Sequence, residues 1–136
     1  MKLAAHLQLA RQWDLTLSKL DPQADHVAVI EICMMLGTTL MNAVFHKRGI
    51  SEERFDQNHT YRPPIPAETE AKITPDVRAM MNDMNYIERM RTLHCRGIIG
   101  APTDPRALPP WEPQVSVQCI ANIRKMQAFT DKVMSE

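Results

Sequence analysis

A chain of 136 residues, 44% hydrophobic and 24% charged, fits one folded domain and excludes disorder along its whole length. Sixteen basic and sixteen acidic residues cancel to zero net charge, so the chain lacks the global electrostatic signature of a nucleic-acid binder. Its three cysteines, Cys33, Cys95 and Cys119, are odd in number and form no C-x-x-C pair. They supply neither a disulfide framework nor a thiolate zinc template, and point to a reducing, cytoplasmic setting.

The first predicted helix covers residues 2–19, with Leu3, Leu7, Ala10, Trp13 and Leu17 at helical spacing. His6, Gln8 and Arg11 interrupt any signal-peptide core in this stretch. The helix breaks at Leu20-Asp21-Pro22, a turn short enough to send the second helix back antiparallel.

Residues 22–48 read as a long second helix. Asp21 is the expected N-cap, Pro22 suits the first helical position, and Asp25 places negative charge at the positive end of the dipole. Lys47 and Arg48 occupy the last turn, and Gly49 follows where a left-handed residue is wanted. Between residues 27 and 45 the only ionisable side chain is Glu31. A helix apolar nearly all round needs cover from other helices, a partner subunit or lipid. Gly37, Thr38, Thr39 and Asn42 make the segment too polar for a bilayer span, and the mean hydropathy of the chain is −0.32. No membrane association is expected; cover from a homodimer partner through this helix is. Glu31 needs a cation, for which Arg11, Arg78 and Arg89 are the candidates, or else it titrates as a functional acid.

Residues 56–74 follow as an irregular connector, whose Tyr61-Arg62-Pro63-Pro64-Ile65-Pro66 run favours extended backbone. Thr74-Pro75-Asp76 then opens a third helix over 75–96 as N-cap, first-position proline and acidic first turn. Its stripe is Val77, Met80, Met81, Met84, Ile87, Met90 and Leu93. A second Pro-rich connector covers 98–112, and the fourth helix covers 113–134, with Cys119, Ile120, Ile123 and Met126 inside and Gln118, Asn122 and Lys125 outside. The expected architecture is a single all-α domain, a four-helix bundle with two long Pro-rich connectors.

Ten methionines against three Phe, two Trp and two Tyr predict a methionine-rich core, able to form an adaptable groove. Linear templates for metal and nucleotide sites are missing. There is no Glu-x-x-His pair, no H-x-x-x-H, no Walker loop and no nucleophile elbow, so neither metal nor cofactor is expected. The leading functional expectation is an interaction or ligand-binding module, homodimeric, with a protein or small-molecule partner. Its site is expected between the methionine stripe and the first connector, at Met84, Met90, Tyr61 and Glu31.

The densest basic feature is Arg89, Arg91, His94 and Arg96, where a helix C-terminus favours cations. Within it, Arg89-x4-His94 resembles the R-x4-6-H motif of the HEPN helical domains, and the apolar second helix resembles their central helix. That resemblance implies an alternative function, a metal-independent ribonuclease with Arg89 on the scissile phosphate and His94 handling the proton in a dimer cleft. Met90 stands where that motif commonly carries a polar residue.

Overall fold

Asp21 shows how local chemistry sets the architecture. Its Oδ1 accepts the backbone N–H groups of Gln23 and Ala24, each at 2.8 Å, so it caps a separate turn of chain, in which Pro22 lies, and not the second helix as the sequence suggests it would. Asp25 then leaves helical geometry at φ −112°, and the helix proper begins four residues later than the sequence suggests. In the computed structural model, which describes residues 1–58, 64–96 and 112–136, every regular element among these residues is helical. They are α1 (Leu3–Leu17), α2 (His26–Lys47), a single turn α3 (Ala67–Glu70), α4 (Pro75–Arg91) and α5 (Pro113–Met134). The fold is all-α and bundle-like, as the sequence predicts. Tyr61, His59 and the prolines of the second connector lie outside the described residues.

α2 is the axis of the bundle. Nearly all of it from Val29 to Phe45 is buried, against α1 on one side and α4 and α5 on the other. The cover that its composition demands is therefore provided within one chain. Length and apolarity alone would let His26–Lys47 cross a membrane, yet most of that helix is buried inside the bundle. Met34, Met41, Met80, Met81, Met84 and Met126 join Leu36, Ile87, Ile123 and Phe45 in the core. Each large apolar side chain so buried contributes about 1.5–3 kcal/mol relative to exposure.

The end of α2 follows its sequence signal closely. Gly49 adopts φ +64°, the N–H of Ile50 donates to Phe45 O at 2.8 Å, and the N–H of Gly49 donates to His46 O at 3.2 Å. These are the two bonds of a Schellman motif, and buried Ile50 supplies its apolar contact. The motif turns the chain sharply back over the end of the helix. The connector that follows is not irregular throughout, because Ala67–Glu70 forms a helical turn after Pro66.

Two helix ends differ from expectation. Thr74 does not cap α4. Its hydroxyl bonds the Asp76 carboxylate, and Asp76 Oδ1 accepts the Val77 N–H at 2.8 Å instead. The helix expected to reach residue 96 stays α-helical only to Arg91, and Thr92–Arg96 widens into a π-helical turn. On α5, Asn122 is buried rather than solvent-facing and donates to Asp83 O at 3.3 Å.

Candidate functional site

The residues named from sequence do not converge. Met84 is a core residue in contact range of Gly37, and Met90 packs half-buried at the core's edge. Glu31 pairs with Arg91, 2.7 Å from its Nε, and not with Arg11, Arg78 or Arg89. Arg78 instead meets Glu70, and Arg89 is exposed with its guanidinium 5.9 Å from the Tyr86 ring centroid. His94 sits half-buried in the π-helical turn. Tyr61 is not among the described residues.

A different cluster forms at the opposite end of the bundle. Because α1 and α2 run antiparallel, His6 near the start of α1 comes beside His46 in the last turn of α2, ring centroids 5.2 Å apart. The connector, turned back by the Schellman motif, brings Asp56 between them. Asp56 Oδ1 lies 3.0 Å from His6 Nε2 and 2.7 Å from His46 Nε2. The imidazoles are sealed in, their side chains 4% and 1% exposed, whereas Asp56 is 30% exposed. Its other oxygen, Oδ2, receives the Met1 amino group at 2.6 Å.

Two further contacts hold this arrangement. Asn42, on the buried face of α2, clamps the connector with a reciprocal amide pair. It donates to Gln57 O and accepts from Gln57 N–H, both at 2.8 Å. Two such bonds contribute about 1–3 kcal/mol between them. His46 Nδ1 faces the Ser51 carbonyl oxygen at 3.2 Å and the Ser51 hydroxyl at 3.3 Å. His6 Nδ1, by contrast, is a buried nitrogen without a hydrogen-bond partner.

The electrostatics favour neutral His6 against ionised Asp56. Burial is the largest influence on the His6 pKa and, with His46 and the Met1 amino group, lowers it on balance against the raising effect of Asp56. For Asp56, burial pushes upward but bonds from the Met1 amino group and the two imidazoles outweigh it, holding the carboxyl below its usual range. A neutral imidazole and an ionised carboxylate are the forms that bind metal ions or act as proton acceptors. The ligand atoms of His6, His46 and Asp56 all lie within 4.8 Å of one another. Motif spacing could not reveal this, since Asp56 is 50 residues from His6 and 10 from His46.

The cluster borders a cavity of about 1050 Å³ under the connector, which His46 and Asp56 help to line. Phe45, Ile50, Ile65, Thr69 and Lys72 are also in its lining. Four carboxylates (Glu52, Glu53, Asp56 and Glu68) stand in the lining against two cations, Arg54 and Lys72. Arg54 is itself paired with Glu52 at 2.7 Å. A smaller cavity of about 500 Å³ lies between α4 and α5, lined by Asn82, Asp83, Tyr86, Gln118 and Lys125 among others. No protein-family model matches the chain, nor does any curated protein or solved structure.

Proposed function

We propose that the protein is a ligand-binding module that takes a small cationic molecule into the cavity between the end of α2 and the connector. The observation that carries this reading is the composition of the cavity wall, four carboxylates against two cations on a connector pinned at Asn42 and Asp56. Pinning matters because a preorganised wall spends less binding free energy on ordering itself. The apolar side chains of Phe45, Ile50 and Ile65 in the lining suit an organic body attached to the cation. The module works as a single chain in this reading, because α2 needs no partner to cover it, and its free thiols suit the cytoplasm.

Native mass spectrometry on gently purified protein tests for a retained ligand, and titration with spermidine, agmatine and choline supplies defined probes. At least one probe should bind one per chain and raise the melting temperature. Thr69→Trp, which fills the cavity, should abolish that binding while leaving the fold intact. No binding by any probe, or undiminished binding to Thr69→Trp, refutes the site. The ribonuclease alternative draws support from the π-helical turn carrying His94, since such turns recur at functional positions. If it holds, Arg89→Ala and His94→Ala each abolish cleavage of single-stranded RNA.

A further inference from the structure

We infer that His6, His46 and Asp56 together bind one divalent transition-metal ion, of the zinc or cobalt kind. Two imidazole nitrogens and one carboxylate oxygen are a donor set suited to such ions. The three donors come from three separate segments and lie within 4.8 Å of one another, with Asp56 Oδ1 3.0 Å and 2.7 Å from the two Nε2 atoms. Around a tetrahedral ion at about 2.0–2.2 Å from each ligand, donors stand roughly 3.3–3.6 Å apart. Asp56, the one partly exposed member, would have to draw back from His46 by about half an ångström or more to admit the ion.

His46 supplies an independent argument. Its Nδ1 faces the Ser51 carbonyl oxygen at 3.2 Å while its Nε2 faces the Asp56 carboxylate at 2.7 Å. A neutral imidazole carries a single N–H and cannot satisfy acceptors at both nitrogens. The Ser51 hydroxyl, 3.3 Å from Nδ1, could donate to the other tautomer only by leaving the carbonyl contact repulsive. A metal ion resolves the conflict. Nδ1–H then donates to Ser51 O, and the Nε2 lone pair and the carboxylate both point at the cation. Metal-bound histidines characteristically have their second nitrogen oriented in this way.

Three protein ligands leave a coordination position open, and His46 and Asp56 also line the cavity. A water molecule or a donor atom of the cavity ligand can occupy it. The inference rests on the reading of this end of the bundle as a ligand site, but its test is separate.

Tag-free full-length protein is titrated with Co²⁺, followed by visible absorption, and then with Zn²⁺ as competitor. One Co²⁺ per chain should bind, with the strong d–d absorption of a low-coordinate site, and Zn²⁺ should displace it. Asp56→Asn and His46→Gln should each raise the Kd at least about 100-fold, since losing a ligand costs more than losing a supporting bond. Circular dichroism melts report whether each variant is folded, and Asp56→Asn, being nearly isosteric and partly exposed, carries the test if His46→Gln unfolds. His26→Gln, outside the cluster, should bind Co²⁺ like the wild type. Absence of stoichiometric Co²⁺ binding, or unchanged affinity in folded Asp56→Asn, overturns the site. Metal binding without any organic probe refutes the cavity reading alone; probe binding without metal refutes the metal site alone.

Discussion

Arg91, the last α-helical residue of α4, donates from Nε to Glu31 Oε2 at 2.7 Å and so ties α4 to the first half of α2. Arg91 is 7% exposed, whereas the Glu31 side chain is 36% exposed. The pair is thus asymmetric: the cation is desolvated and the anion is partly wet.

That asymmetry predicts unequal costs. Glu31→Gln keeps the shape and one hydrogen-bond acceptor, and should destabilise by about 1 kcal/mol, a value discounted for solvent screening. Arg91→Ala also removes a buried aliphatic stem and should cost about 2–3 kcal/mol. Urea denaturation midpoints of the two variants check this order; equal losses would show that the stem contributes nothing.

Gly37 faces Met84 so closely that a Cβ there would sit 2.5 Å from the Met84 sulfur and 3.3 Å from Ile123 Cδ1. Met84 is fully buried, so its thioether would have to repack within the core to make room. Replacing a mid-helix glycine by alanine normally stabilises by up to about 1 kcal/mol. Overpacking costs about 1–3 kcal/mol, so Gly37→Ala should be net destabilising. In a Met84→Ala background the sign should reverse, because the clash is gone while the propensity gain remains. A double-mutant cycle by chemical denaturation measures the coupling, and the same cost in both backgrounds would refute the contact.

Arg48 joins three parts of the chain at the connector end of the bundle. It bonds Asp76 through Nη1 at 3.0 Å and Glu136 through Nη2 at 2.9 Å, with its guanidinium carbon 5.4 Å from the Phe129 ring centroid. The Thr74 hydroxyl and then Arg48 hold Asp76 below its usual value, and Arg48 does the same for Glu136. Depressed carboxylate pKa values stabilise the fold above the unfolded values of 3.8 and 4.5, and that stability is lost as pH falls through the folded ones. Arg48→Met should therefore melt below the wild type at pH 7, and the gap should close at pH values under about 4. A gap unchanged from pH 7 to pH 3 would assign the loss to packing on Phe129 alone.

Much of the secondary structure was legible in the sequence because its signals act over a few residues. Gly49 ends α2 where a left-handed residue was needed, Pro75 and Pro113 open α4 and α5, and the stripe from Val77 to Ile87 faces inward. One error at a helix end is a local substitution of one capping group for another, Asp76 in place of Thr74, while the end of α4 differs by widening into a π-helical turn. Glu31 announced that it needed a cation, but periodicity could not say which, since Arg78, Arg89 and Arg91 are all on the same helix. Only the packing of α4 against α2 selected Arg91.

The candidate site left no linear trace at all. His6 and His46 read as isolated helix residues, and Asp56 as the first residue of a loop. Three tertiary events bring them together: the antiparallel pairing of α1 with α2, the reversal of chain at Gly49 and Ile50, and the clamp of Asn42 on Gln57. The sequence by itself determined which segments are helical and which faces they bury, because those are decided by neighbours three and four residues away. Which charged and titratable side chains meet was decided by the tertiary structure, because that depends on how whole helices dock.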